Sequence, residues 1–111
     1  MPKTRRPLSP YAADAVRLLG QLLRKARIEK RMTTTDVAVR SGISRGLLHR
    51  IERGDPRCAI GTAFEVAAIV GVALFDTEHA TMRYALNTNR EVMRLLPRSV
   101  RRRRTEVNDD F

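Results

Sequence analysis

Residues 33–54, TTTDVAVRSGISRGLLHRIERG, constrain this chain more than any other stretch. They read as two short helices joined by a tight turn. The first runs from Thr34 to about Arg40, with the Thr33 hydroxyl placed to accept from an orphan amide of the first turn. Val37 and Ala38 then face inward, and Ala38 is small enough to let a second helix cross closely. Gly42 sits where the chain must turn, a place where positive φ is cheap only for glycine. Ile43 returns to the core and Ser44 caps the second helix. Within that helix Leu48 and Ile51 share one face, while Arg45, Gly46, His49 and Arg50 share the other. Gly54 ends it, and Asp55-Pro56 prevents its continuation.

Val37, Ala38, Gly42, Ile43, Leu48 and Ile51 fall at the spacing of the DNA-binding helix-turn-helix. With LGQLLRKARIEKRMT before it and SRGLLHRIERGDP within and after, the segment from about Ala15 to Leu74 resembles the lambda-repressor-like, or XRE-type, domain. The resemblance implies an all-α fold, a helix-turn-helix domain of about five helices plus a short extra C-terminal helix. It also implies a recognition helix whose N-terminal residues meet base edges in the major groove. Carried across residue by residue, Arg45, Gly46, His49 and Arg50 face the bases, with Leu47 in part. Arg45 is the best-suited reader of guanine O6 and N7. Gly46 departs from the usual polar residue and has no side chain to contact with. Thr33, Thr34, Ser44 and Arg57 are expected at phosphates. The same resemblance pairs Arg27 with Glu52, a structural ion pair that fixes the angle of the second helix.

Charge agrees with a polyanionic partner. The net charge is +10, yet residues 1–57 carry 14 Lys/Arg against 5 Asp/Glu, whereas residues 58–96 carry 3 against 4. The positive charge therefore lies on the half holding the two short helices, and the middle is neutral enough to pack against protein. Nineteen of the 22 basic residues are Arg, the side chain shaped for bidentate phosphate or guanine contacts, although a GC-rich genome would raise Arg as well.

Along the chain, residues 1–9 read as a basic arm that either follows the phosphate backbone or is simply disordered. Ser9-Pro10 starts a long helix to about Arg31, with Gly20 and a break near Arg17 as its weak points. Residues 10–75 make the XRE-type domain. A helix over Ile60 to Val70, with Ile60, Phe64, Ala67 and Ala68 as its apolar stripe, ends at Gly71. Residues 76–97 hold the C-terminal helices, one from about Asp76 to Leu86 and a last one opened by the capping-box pattern Thr88-Asn89-Arg90-Glu91. The apolar run Ile60 to Phe75 contains Glu65, Gly61 and Gly71 and is too short to span a bilayer. No apolar h-region follows the basic N-terminus, so no signal peptide is expected and the expected compartment is the cytoplasm.

Catalytic chemistry is not expected. His49 and His79 lie 30 residues apart, Cys58 stands alone, and no spacing suits a metal, a cofactor or a nucleophile. His49 is better placed for a base or phosphate, or for plain solvation. The single cysteine allows no internal disulfide, as suits a reducing compartment.

Residues 98–111, RSVRRRRTEVNDDF, form a basic then acidic tail without apolar periodicity, expected to be disordered alone. The tail resembles the end of XRE-type antitoxins that accompany HipA-like kinase toxins. That resemblance implies a type II toxin–antitoxin partner gripped by Arg101, Arg102, Arg103, Arg104 and Phe111. Three functions stay open: an autoregulating antitoxin, a stand-alone repressor, and a helix-turn-helix used only for protein contacts. For the first two, the expected partners are an operator inverted repeat in double-stranded DNA and a second copy of the chain, formed through residues 58–96.

Overall fold

The computed structural model describes residues 7–75 and 77–100. Among them the protein is all-α, with five helices in chain order: α1 Pro10–Glu29, α2 Thr34–Ser41, α3 Arg45–Glu52, α4 Ile60–Val70 and α5 His79–Leu95. The chain divides into two compact units between Asp76 and Thr77.

In the first unit, α1 begins where the Ser9 hydroxyl accepts from the Ala12 amide at 3.2 Å, with Pro10 in the first turn. It runs through Gly20 without a break. Gly20 is buried, and a β-carbon there would lie 2.6 Å from the carbonyl oxygens of Ile51 and Glu52. This glycine is therefore the point at which α1 meets the end of α3 backbone to backbone. Gly54, at φ 80°, repeats the close approach against Arg17 one turn away. The helix closes with Arg31 in the left-handed region, φ 59°, while the Met32 amide donates to the Arg27 carbonyl.

Thr33 caps α2 through a reciprocal box. Its hydroxyl accepts from the Asp36 amide at 3.0 Å, and the Asp36 carboxylate accepts from the Thr33 amide at 3.0 Å. Gly42, at φ 70°, makes the turn, and the Ile43 amide donates to the Ala38 carbonyl. Ser44 caps α3 by accepting from the Leu47 amide at 3.0 Å. The core beneath consists of Leu23 from α1, Val37 from α2, Leu48 and Ile51 from α3, and Val66, Ala67 and Val70 from α4.

Two expectations are corrected. The buried stripe of α4 is Val66, Ala67 and Val70, whereas Ile60, Phe64 and Ala68 are exposed; α4 is apolar on nearly every face, so periodicity alone does not identify its inner one. Phe64 instead stacks on Phe75, with ring centroids 6.0 Å apart and planes 13° from parallel. In the second unit a single α5 replaces the two helices expected there. Nothing between Leu86 and Thr88 breaks a helix, and the Asn87 side chain bonds Arg90 Nη1 within α5 at 3.0 Å. It begins at His79, and its expected start at Asp76 lies outside the described residues. No residue of α5 is buried.

Candidate nucleic-acid interface

The site is built on α3, whose two faces have opposite character. Leu48, Ile51 and Glu52 point inward and are buried. Arg45, Gly46 and His49 are exposed, Leu47 and Arg50 are half-buried, and Arg53 at the C-cap continues the outer row at i+4 from His49. Sequence reasoning passed over Arg53, although its spacing from Arg45 and His49 marked it for the same face. Among the described residues no acidic side chain pairs with Arg45 or Arg53.

The inner face is held by one ion pair. Arg27 of α1 donates from Nε to Glu52 Oε2 at 2.7 Å and from Nη2 to Oε1 at 3.1 Å, while its Nη1 reaches the Met32 carbonyl at 3.1 Å. The two side chains are only 10% and 4% exposed. A bidentate fork fixes direction as well as distance, so α3 cannot swing about its axis without breaking two charged hydrogen bonds.

The helix N-termini differ in what they offer an anion. The first turn of α2 contains Asp36, which closes the capping box and places a carboxylate at the positive end of the helix. Hydrogen bonds from Thr33 hold that carboxyl below its ordinary pKa, so it is charged at neutral pH. Thr33 thus has both its backbone amide and its hydroxyl oxygen engaged, and Thr34 is half-buried. The first turn of α3 has no acidic residue, and Ser44 keeps its own hydroxyl hydrogen free for an acceptor after capping Leu47. Of the two ends, that of α3 is the more open to a phosphate.

Arg50 and Arg57, placed by sequence at a base and at a phosphate, are brought together by a residue that sequence reasoning took only for a helix stop. Asp55 accepts from Arg50 Nε at 3.0 Å and from Arg57 Nε and Nη2, each at 3.1 Å; the Arg57 amide adds a fourth bond at 2.9 Å. The hydrogen bonds from Arg57, then that from Arg50, drive the Asp55 carboxyl far below the ordinary range. Asp55 in turn raises the pKa of Arg57. Gly46 needs its small size for no reason internal to the fold, since a β-carbon there would meet only Ser44 Oγ, at 3.8 Å. Arg101, Arg102, Arg103, Arg104 and Phe111 lie outside the described residues.

A capped helix, a glycine turn and a second helix with a pinned inner face and a cationic outer face define a helix-turn-helix module. Residues 18–80 match the family described as Helix-turn-helix domain, and the chain belongs to that family. Membership implies duplex DNA as the partner. No curated protein and no solved structure matches the chain. Among the described residues no group of His, Cys, Asp and Glu could hold a metal, and no helix is long and apolar enough to cross a membrane.

Proposed function

We propose that the chain is a non-enzymatic, sequence-specific transcriptional repressor that binds an operator inverted repeat as a homodimer in the cytoplasm. In this reading α3 enters the major groove, Arg45 and His49 reach base edges, and Ser44, Arg50, Arg53 and Arg57 meet the backbone. The observation that carries it is the outer face of α3: exposed cations beside a helix N-terminus free of acid, on a helix whose inner face is fixed. The dimer is supported by apolar surface in each unit. The first exposes Ile60, Phe64 and Phe75, and α5 exposes Leu86, Val92 and Met93, with Asn89 centrally among them. A single polar residue in such a seam sets register between two copies.

The test is selection of duplexes from a random-sequence library, followed by mobility-shift titration of the parent and Arg45→Ala. The parent should select a two-fold symmetric site, and the variant should lose about 1–3 kcal/mol at it, with preference relaxed at one base pair in each half. Sedimentation should show a dimer on that site. A parent that selects no duplex at all would leave the module for protein contacts only.

The tail sequence favours a narrower version, in which the repressor is the antitoxin of a HipA-like kinase toxin and autoregulates its operon. The order of four arginines, an acidic segment and Phe111 supports it. A kinase-like gene adjacent to this one would support the pairing, and its absence would favour the stand-alone repressor.

A further inference from the structure

We infer that Asp55, an acidic residue on a face that meets a polyanion, strengthens DNA binding by holding Arg50 and Arg57 as a two-pronged clamp for the phosphodiester backbone. The inference rests on the DNA-binding reading above.

An acid at a DNA-facing surface ordinarily weakens binding, because it repels phosphate. The geometry here opposes that expectation. Asp55 itself is withdrawn, its side chain 11% exposed, whereas Arg50 and Arg57 are 41% and 64% exposed. The carboxylate accepts three hydrogen bonds from the two guanidinium groups and a fourth from the Arg57 amide. The trio keeps a net charge of +1, carried outward. Arg50 gives only Nε to Asp55, so both of its terminal amines stay available. Arg57 gives Nε and one Nη2 hydrogen, so Nη1 and the other Nη2 hydrogen stay available.

The site is also fixed to the recognition helix. The Asp55 amide donates to the Arg50 carbonyl at 3.0 Å, within the turn that Gly54 makes beyond α3. The Arg57 amide donates to the same carboxylate, so the loop and the helix end share one anchor. Long arginine side chains lose considerable rotamer freedom when they grip a phosphate. Here two are already ordered before DNA arrives, which reduces the cost of the encounter. Asp55 is thus a positioning residue, acting through the two arginines.

Asp55→Asn separates this role from simple charge, because the substitution adds one positive charge at nearly constant shape. The probe is the duplex that the parent selects from a random library, titrated over a range of salt at a temperature where circular dichroism shows both proteins folded. The clamp requires affinity to fall at least tenfold and the slope of log K against log salt to become shallower by ~0.9 for each phosphate lost. Equal or tighter binding overturns it, as does weaker binding with an unchanged slope, which would mark a purely structural loop. Should Asp55→Asn not fold, the double variant Arg50→Lys, Arg57→Lys takes its place. It preserves charge but cannot grip Asp55 through Nε while offering a fork to phosphate. A shallower slope supports the clamp, and an unchanged slope overturns it. A parent with no duplex preference would remove the DNA reading itself, an outcome distinct from either.

Discussion

The inner and outer faces of α3 belong to the same eight residues and obey different rules. Inside, Leu48 and Ile51 fill the core and Glu52 is gripped by two nitrogens of Arg27. Outside, Arg45, Gly46 and His49 lie in the open. A helix this short has little stability of its own, because nucleation is costly and few bonds repay it. Its position therefore comes from the inner face, and the outer face is free to be chosen for what it meets. The C-terminal end is the exception. There Arg50 points outward but is tied to Asp55, so order imposed from within extends to the surface.

The comparison breaks most visibly at Glu52. Glu52→Ala should destabilise the fold by about 3–5 kcal/mol, because it leaves the Arg27 charge buried and unpaired. Replacing both, Arg27→Met with Glu52→Leu, should recover most of that loss, since well-packed apolar side chains match a buried pair in stability. Urea unfolding measures both. A small loss in the single variant would mean that the inner face does not hold α3.

Gly46 sharpens the comparison from the other side. Gly20 and Gly46 both lie in helices, but a β-carbon at Gly20 would strike backbone, whereas one at Gly46 would meet only Ser44 Oγ, at an ordinary contact distance of 3.8 Å. Gly46→Ala should therefore raise stability, by up to about 1 kcal/mol given the entropy glycine loses in a helix. If the backbone at Gly46 approaches the groove closely, the same variant binds operator more weakly. Higher stability with unchanged DNA affinity would place DNA away from this turn.

What the sequence made legible follows the same division. Thr33, Gly42, Ser44 and Gly54 act through local backbone chemistry, so the bounds of α2 and α3 could be read from residues a few positions apart. The Asp36 box went unread because the third helical position usually holds Glu or Gln in this motif, and Asp reaches back equally well here. Gly20 looked like a weakness because its reason lies 31 residues away, at the carbonyl of Ile51. Asp55 looked like half of an Asp-Pro stop because its second function needs side chains from a helix and from a loop beyond it. The α4 stripe was misread because Ile60 and Phe64 are apolar without being buried. In α5 the box pattern Thr88-Asn89-Arg90-Glu91 opens no helix, because it falls inside the unbroken run from His79 to Leu95.

The smallest expected effect on the fold belongs to Ser44, and it tests whether the two faces meet at the start of α3. The Ser44 hydroxyl oxygen accepts from the Leu47 amide, which is an inner task, since it satisfies an orphan donor of the first turn. Its hydrogen is left for an outer task, donation to a phosphate at a helix end that carries partial positive charge and no acid. Ser44→Ala would confound the two, because alanine is a poor cap and the helix start would fray. Ser44→Gly keeps a good cap residue, so folding stability should fall by only ~0.3 kcal/mol in thermal or urea unfolding. The phosphate contact should nevertheless disappear, making the salt dependence of DNA binding shallower by ~0.9. An unchanged slope in Ser44→Gly would restrict Ser44 to capping and shift the phosphate contacts of this face toward Arg50, Arg53 and Arg57.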